Sequence, residues 1–235
     1  MKGGKIWPGL LTAALAFTGV LAAESAAWRE NFADTEKKDG RLEAVGWKLD
    51  ATKFGVPKTK FYVEPEESAE DKQVLVIDSE KATGCILYDL SDKVDLQKTP
   101  IMRWRWRVKT LPDGADGRDE DKDDQAVAIY IGTNALLGKR SIAYRWETDT
   151  PKDYAGEVKY AGGLMRVKYF VVENKETPAG EWVTEERNVA EDFKAAYGSV
   201  PKKFAISVCG NSQYTKTDTR AEIDYIEFVA KSDQK

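Results

Sequence analysis

Residues 101–109 read IMRWRWRVK, and no other stretch restricts the fold as tightly. Met102, Trp104, Trp106 and Val108 alternate with Arg103, Arg105, Arg107 and Lys109. At about 3.6 residues per turn a helix would scatter both sets around its axis. A strand sorts them onto two faces, one aromatic and one cationic. Shorter runs of the same character recur: QVLVIDSE, GCILYDL, AVAIYIGT, SIAYRWET, LMRVKYFVVE, EWVTEE, FAISVCGN and AEIDYIEFV. Turn signals separate them, among them Pro112-Asp113-Gly114, Asp116-Gly117 and Pro178-Ala179-Gly180.

One helix stands out. Asn188 can cap a segment starting at Val189, with Glu191 three residues later as in a capping box. Phe193, Ala196 and Tyr197 supply an apolar stripe, Gly198 suits the left-handed C-terminal position, and Pro201 prevents resumption. The pattern predicts a short helix over 189–197. Many strands with one helix predict a mainly-β chain built as a two-sheet antiparallel sandwich. No internal repeat or Pro/Ser-rich linker interrupts it, so residues 23–235 are read as a single domain.

The first residues have a different character. Lys2 and Lys5 precede an uncharged run, IWPGLLTAALAFTGVLAA, which ends in small residues around Val20-Leu21-Ala22. This is the layout of a secretory signal peptide, residues 1–22, cleaved after Ala22. The run approaches the length of a membrane anchor, but its Ala/Thr/Gly-rich centre and the missing basic stop favour cleavage. Losing the two lysines takes the net charge from -4 to -6. The expected product is periplasmic or secreted, with no stable membrane insertion. Export would place Cys85, in GCILYDL, and Cys209, in FAISVCGN, in an oxidising compartment. The two are read either as one disulfide or as two small buried thiols.

Composition removes several chemistries. There is no His, which excludes Ser-His-Asp and Cys-His catalysis and His-ligated zinc. The mildly acidic charge gives no footprint for nucleic acid. No cofactor is expected.

Five segments together carry a resemblance: RWRWRV at 103–108, DDQAVAIYI at 123–131, AYRWE at 143–147, EWVTEERNVAEDF at 181–193 and AEIDYIEF at 221–228. In order and flavour they resemble the bacterial family catalogued as domain of unknown function 3047, from about Phe32 to Phe228. The resemblance implies an exported jelly-roll sandwich, similar to galactose-binding and other carbohydrate-binding modules, with no settled activity. The sequence departs from the family before the last strand, where CGNSQYTKTDTRAEID replaces a short acidic turn.

Candidate site residues follow from the strand pattern. Tyr144 and Trp146 share a strand face and are candidates for stacking against sugar rings, whereas Trp104 and Trp106 are assigned to the core. Arg103, Arg105, Arg107 and Lys109 either grip the carboxylates or sulfates of an acidic glycan or pair with carboxylates on neighbouring strands. Arg187 is a further ligand candidate at the sheet-to-helix junction. Asp124, Asn188 and Asp192 are read there as a structural clamp, with Asn188 as the helix cap.

The loop DGADGRDEDKDD, Asp113 to Asp124, holds seven acids. Asp119, Asp121 and Asp123 have the early spacing of an EF-hand, but Asp124 takes the required Gly position and Tyr130 the required Glu position. The loop is read as solvated, with an irregular calcium site as the alternative and no metal assigned. Glu147, Asp149, Glu185 and Glu186 could supply catalytic carboxylates, but no motif selects a pair. The functional expectation is an exported, non-catalytic binding module for a carbohydrate or other envelope ligand. The alternatives are a carbohydrate-active enzyme and an envelope assembly protein that binds another protein.

Overall fold

The structure, a computed structural model, describes residues 26–50, 53–135, 138–160 and 163–231. The signal peptide reading of residues 1–22 lies outside the described residues.

The alternating segment forms β8 (Ile101–Thr110) as its pattern dictates. It lies between β13 (Val183–Asn188) and β15 (Asp218–Val229) in an eight-stranded sheet, sheet A. Sheet A continues through β6 (Gln73–Glu80), β5 (Lys60–Pro65), β3 (Arg41–Ala44) and β2 (Thr35–Lys38), and β1 (Trp28–Glu30) also pairs with β15. Sheet B has seven strands. Their order is β11 (Ala155–Tyr160), β12 (Met165–Glu173), β10 (Gly138–Trp146), β9 (Gln125–Ala135), β14 (Ala205–Asn211), β7 (Thr83–Asp89) and β4 (Lys48–Asp50).

The two sheets make the expected antiparallel sandwich, except that β10 and β12 run parallel. The chain leaves β10, forms β11 outermost, and turns back so that β12 fills the gap beside β10. The inner faces meet in one apolar cluster that includes Met102, Val108, Ile129, Ile142, Ile223 and Phe228. Its centre is aromatic. Trp104 stacks on Tyr144 at 5.2 Å between ring centroids and meets Trp106 edge-on at 5.4 Å, while Trp106 meets Trp146 at 5.6 Å. Offset and edge contacts of this kind suit aromatic quadrupoles and add to the area buried.

The helix α1 (Val189–Tyr197) follows β13 without a break. The Asn188 side chain accepts a hydrogen bond from the Glu191 N–H at 3.1 Å. Gly198, at φ +78°, closes the helix by donating to the Lys194 carbonyl at 2.8 Å. Val189 and Phe193 anchor its buried side. Across sheet B, Cys85 of β7 lies directly opposite Cys209 of β14, and the two are joined as a disulfide.

Candidate functional site

Most residues selected from the strand pattern serve the fold. Tyr144 and Trp146, expected to face a ligand, are 0% and 1% exposed. Even-numbered positions of β10 point into the sandwich, so these rings pack on Trp104 and Trp106 and are not offered to solvent. Tyr144 reaches out only through its hydroxyl, which donates to Asp192 at 2.7 Å. Asp192 also receives Arg187 Nη2 at 2.9 Å, and the Arg187 guanidinium lies over the Phe170 ring. The expected clamp at the helix start therefore comprises Arg187, Asn188 and Asp192, but not Asp124. Asp124 is fully buried elsewhere and accepts from the backbone N–H of Tyr214 and Thr215 and from the Thr215 hydroxyl.

The cationic face of β8 meets carboxylates across the sheet. Arg103 pairs with Glu186, and Arg105 with Asp224. Arg107 is held by Glu66 and Glu222, and Lys109 sits 2.7 Å from Glu222. Trp182 covers Arg105 and Arg107, with its ring centroid 4.6 and 4.2 Å from their guanidinium carbons. The forks of Arg105 and Arg107 are thus engaged within the protein. A ligand would have to displace their own carboxylates.

The odd-numbered positions of β10 build a different surface, on the side of sheet B away from the core. Ala143 lies there in a separate apolar cluster with Val167, Tyr169 and Val171. Beside it, Arg145 is 1% exposed. Its Nη1 contacts Asp123 Oδ1 at 2.7 Å and Glu147 Oε1 at 3.3 Å, and its Nη2 donates to the Tyr130 hydroxyl at 3.3 Å. The Tyr169 ring covers the guanidinium with its centroid at 4.1 Å. Two acids, two phenols and one arginine converge on a sheet face.

The acidic loop folds over this group. Gly117 lies against Glu147 so closely that a Cβ would stand 2.8 Å from Oε1, so a larger residue would have to displace the Glu147 carboxyl. The Gly117 N–H donates to Thr150 Oγ1 and its carbonyl accepts from the Tyr169 hydroxyl, each at 2.8 Å. Thr150 Oγ1 also lies 3.2 Å from Glu147 Oε2. Burial pushes the Glu147 carboxyl up to about 7, against the pull of Arg145, and Asp123 adds to the rise. The neighbouring Asp116 is held down at about 2, chiefly by its hydrogen bond from Arg118. Around the loop stand two exposed phenols. Tyr154 packs against Tyr169 at 6.0 Å, and Tyr214 donates its backbone N–H to Asp124.

Within the loop, Asp119 and Asp121 do not converge with Asp123: Asp119 accepts the Asp121 N–H and lies near Lys122, while Asp123 turns to Arg145. Among the described residues no group of three or more acidic or thiol side chains is arranged to hold a metal ion. Of the remaining acids, Asp149 pairs with Lys175 and Glu186 with Arg103, while Glu185 is pushed up to about 7, first by burial.

A family model described as a protein of unknown function (DUF3047) matches residues 45–227. The chain belongs to the DUF3047 family. This span begins before β4 and ends within β15, so it takes in all of sheet B and the residues around Arg145. No curated protein matches the sequence of this DUF3047 member. Solved structures of similar shape include the CBM22-1 xylan-binding domain of Paenibacillus barcinonensis Xyn10C, at 12% identity and TM-score 0.42, covering 89% of this chain and 98% of that one. The family 11 carbohydrate-binding module of Clostridium thermocellum Lic26A-Cel5E has 11% identity and TM-score 0.46, covering 90% and 100%. A variant of the Cel12A cellulase of Rhodothermus marinus has 15% identity and TM-score 0.44, covering 84% and 94%.

Arg145, Tyr130 and Tyr169 were not legible as site residues in this DUF3047 sequence. The available signal was the parity of SIAYRWET. It offers one face of Tyr144 and Trp146 and another of Ala143, Arg145 and Glu147. The aromatic face looks like the ligand platform, but it is the one the core takes.

Proposed function

We propose that this protein is an exported binding module for carbohydrate, and that the outer face of sheet B around Arg145 is its ligand surface. The observation that carries the reading is the buried Arg145, held by Asp123, Glu147 and Tyr130 outside the main core. A buried ion group stabilises a fold no better than apolar side chains of similar volume. A fixed cluster of charge and phenols, with a shifted carboxyl among them, is a mark of binding and catalytic sites. Tyr130, Tyr154 and Tyr214 add apolar ring faces with polar tips, which suits a ligand that is apolar on its ring faces and polar at its rim. Residues 23–235 act as one unit in this reading, and removal of residues 1–22 delivers it to the periplasm or the medium. No helix among the described residues is long and apolar enough to cross a membrane.

Affinity electrophoresis of the folded protein through gels containing neutral and acidic polysaccharides tests the proposal. Retardation on at least one polysaccharide is expected, and Tyr154→Ala with Tyr214→Ala should abolish it while leaving the circular dichroism spectrum unchanged. A folded wild type that migrates unretarded through the whole panel, or a double variant retarded like wild type, removes the reading.

One observation favours a catalytic variant of the same site. Glu147, at about 7, stands with Asp123 on one guanidinium nitrogen. A carboxyl raised to that range is what a general acid needs. Gly117 packs on Glu147, however, so its carboxyl faces the loop and binding is the better-supported reading. Release of reducing ends from any retained polysaccharide would establish the enzyme.

A further inference from the structure

The inner face of sheet B turns from apolar to polar at one end. Ile129 and Ile131 of β9 and Ile142 and Tyr144 of β10 belong to the core. Alternation makes Thr133 and Arg140 the next inward positions, and the two lie opposite each other in the ladder. The row continues through Arg166 of β12 and Lys159 of β11. The helix α1 lies over this end. The Tyr197 hydroxyl is 2.7 Å from the Ser141 carbonyl of β10 and accepts the Lys168 N–H of β12 at 3.1 Å, so the ring is held in place. Between the strand ends, the helix and the turn after it lies a recess of about 320 Å³, whose lining includes Thr133, Arg140, Tyr197, Ser199, Lys202 and Lys203.

The lining of this recess holds three cations and no carboxylate. Elsewhere the molecule, with its net charge of -4, answers its arginines internally. Arg103, Arg105, Arg107, Arg145 and Arg187 each meet an acid. Glu157, on the same face of sheet B, is taken by Arg166 and Lys159. Arg140 is half-buried and has no carboxylate partner among the described residues. Its guanidinium lies over the Tyr197 ring, 5.7 Å from the centroid. A ring face accepts no conventional hydrogen bond, so the planar fork keeps its N–H donors. Lys202 is exposed, and Lys203 has Asp92 at 3.8 Å with both side chains in solvent. The C-terminal end of α1 contributes roughly half a negative charge, which three cations outweigh.

We propose that this recess is a binding site for a sugar acid, a single ring carrying one carboxylate, with Arg140 as the residue that takes the carboxylate. A guanidinium matches a carboxylate with two parallel N–H···O bonds. Lys202 and Lys203 add a positive field that draws the anion in. Thr133 and Ser199 offer hydroxyls to those of the sugar, and Tyr197 and Pro201 offer apolar surface to its ring. The volume is at the low end of small-molecule sites, roughly 300–1,000 Å³, which suits one residue and not a length of polymer. Arg140 and Arg145 lie on opposite faces of β10, so the site does not depend on the surface around Arg145.

Titration calorimetry of the full chain with galacturonate tests this, with glucose and inorganic sulfate as comparison probes. Galacturonate should bind saturably and more weakly as salt is added. Glucose, which lacks the carboxylate, and sulfate, which lacks the ring, should each bind about tenfold more weakly or worse. Arg140→Gln should weaken galacturonate by about tenfold or more, because a charge-assisted pair is lost. If that variant does not fold, Lys202→Gln with Lys203→Gln, both on the surface, should weaken it about threefold. The Tyr154→Ala, Tyr214→Ala protein should bind galacturonate like wild type, which separates this site from the one around Arg145. A folded wild type that does not bind galacturonate overturns the assignment. So does an Arg140 or lysine variant that binds it as wild type does, equal binding of glucose or sulfate, or loss of binding in the tyrosine variant.

Discussion

Glu147 is 0% exposed and packed under a glycine, and its charge state is the residue-level property with the largest reach. Its carboxyl is raised from 4.5 to about 7 in the fold. A raised group stabilises in its protonated form. That contribution is complete below about pH 4.5 and is lost as pH rises through about 7. Glu147→Gln keeps the neutral shape at all pH. Chemical denaturation should show wild type losing stability relative to this variant between pH 5 and 8, by an amount on the order of 3 kcal/mol. Parallel curves for the two proteins would mean that Glu147 is ionised in the fold throughout.

At the scale of the strand, one alternating pattern generated two kinds of salt bridge. Arg107 and Glu222 are both buried between strands, whereas Arg103 and Glu186 have side chains 32% and 54% exposed. Removing one partner of a buried pair leaves an uncompensated charge. Exposed pairs are screened by water and worth little. Arg107→Met should therefore cost on the order of 3 kcal/mol, softened by Lys109, which still reaches Glu222. Arg103→Met should cost about 1 kcal/mol or less. Equal shifts in urea midpoint would contradict this ordering.

The same strands show how far pattern reading carries. β8 was legible because Arg103, Arg105, Arg107 and Lys109 alternate with Met102, Trp104, Trp106 and Val108. In β10 the face with Ile142, Tyr144 and Trp146 opposes one with Ala143 and Arg145, and local sequence does not say whether such an aromatic face is a ligand platform or the side the second sheet covers. That choice is tertiary, and it decides which of Tyr144 and Arg145 lies between the two sheets. The charged strands TEKK and RLEA escaped for a related reason: TEKK carries no apolar face, RLEA offers only Leu42 and Ala44, and pairing holds them at the sheet edge. The cap at Asn188 was readable because its partner is three residues away. The groups around Arg145 come from β9, β10, β12 and the acidic loop, so only the fold assembles them.

For the molecule as a whole, the chain is closed on itself by a link across 124 residues, from Cys85 to Cys209. Ellman titration of the denatured, unreduced protein should find no thiol, and two after reduction. The Cys85→Ser, Cys209→Ser protein should lose about 2–4 kcal/mol, since a crosslink mainly restricts the unfolded chain. A midpoint unchanged by the double substitution would mean that the paired strands β7 and β14 already supply that restriction.

The charge pattern also fixes where the whole molecule is most stable. Glu66 and Asp116 are lowered to about 2, first by the Ser68 backbone N–H and by the Arg118 side chain respectively. Lowered groups stabilise above their unfolded values, 4.5 and 3.8, and lose that contribution as pH falls through about 2. Glu147 and Glu185 act in the opposite sense: their contributions are complete below 4.5 and fade as pH rises through about 7. The two pairs overlap near pH 4.5, so the melting temperature should peak on the acid side of neutrality and decline in both directions. Calorimetry from pH 2 to 9 checks this, and the alkaline limb should flatten in the Glu147→Gln, Glu185→Gln protein while the acid limb stays. A maximum above pH 7 in wild type would show that the buried carboxyls are ionised in the fold.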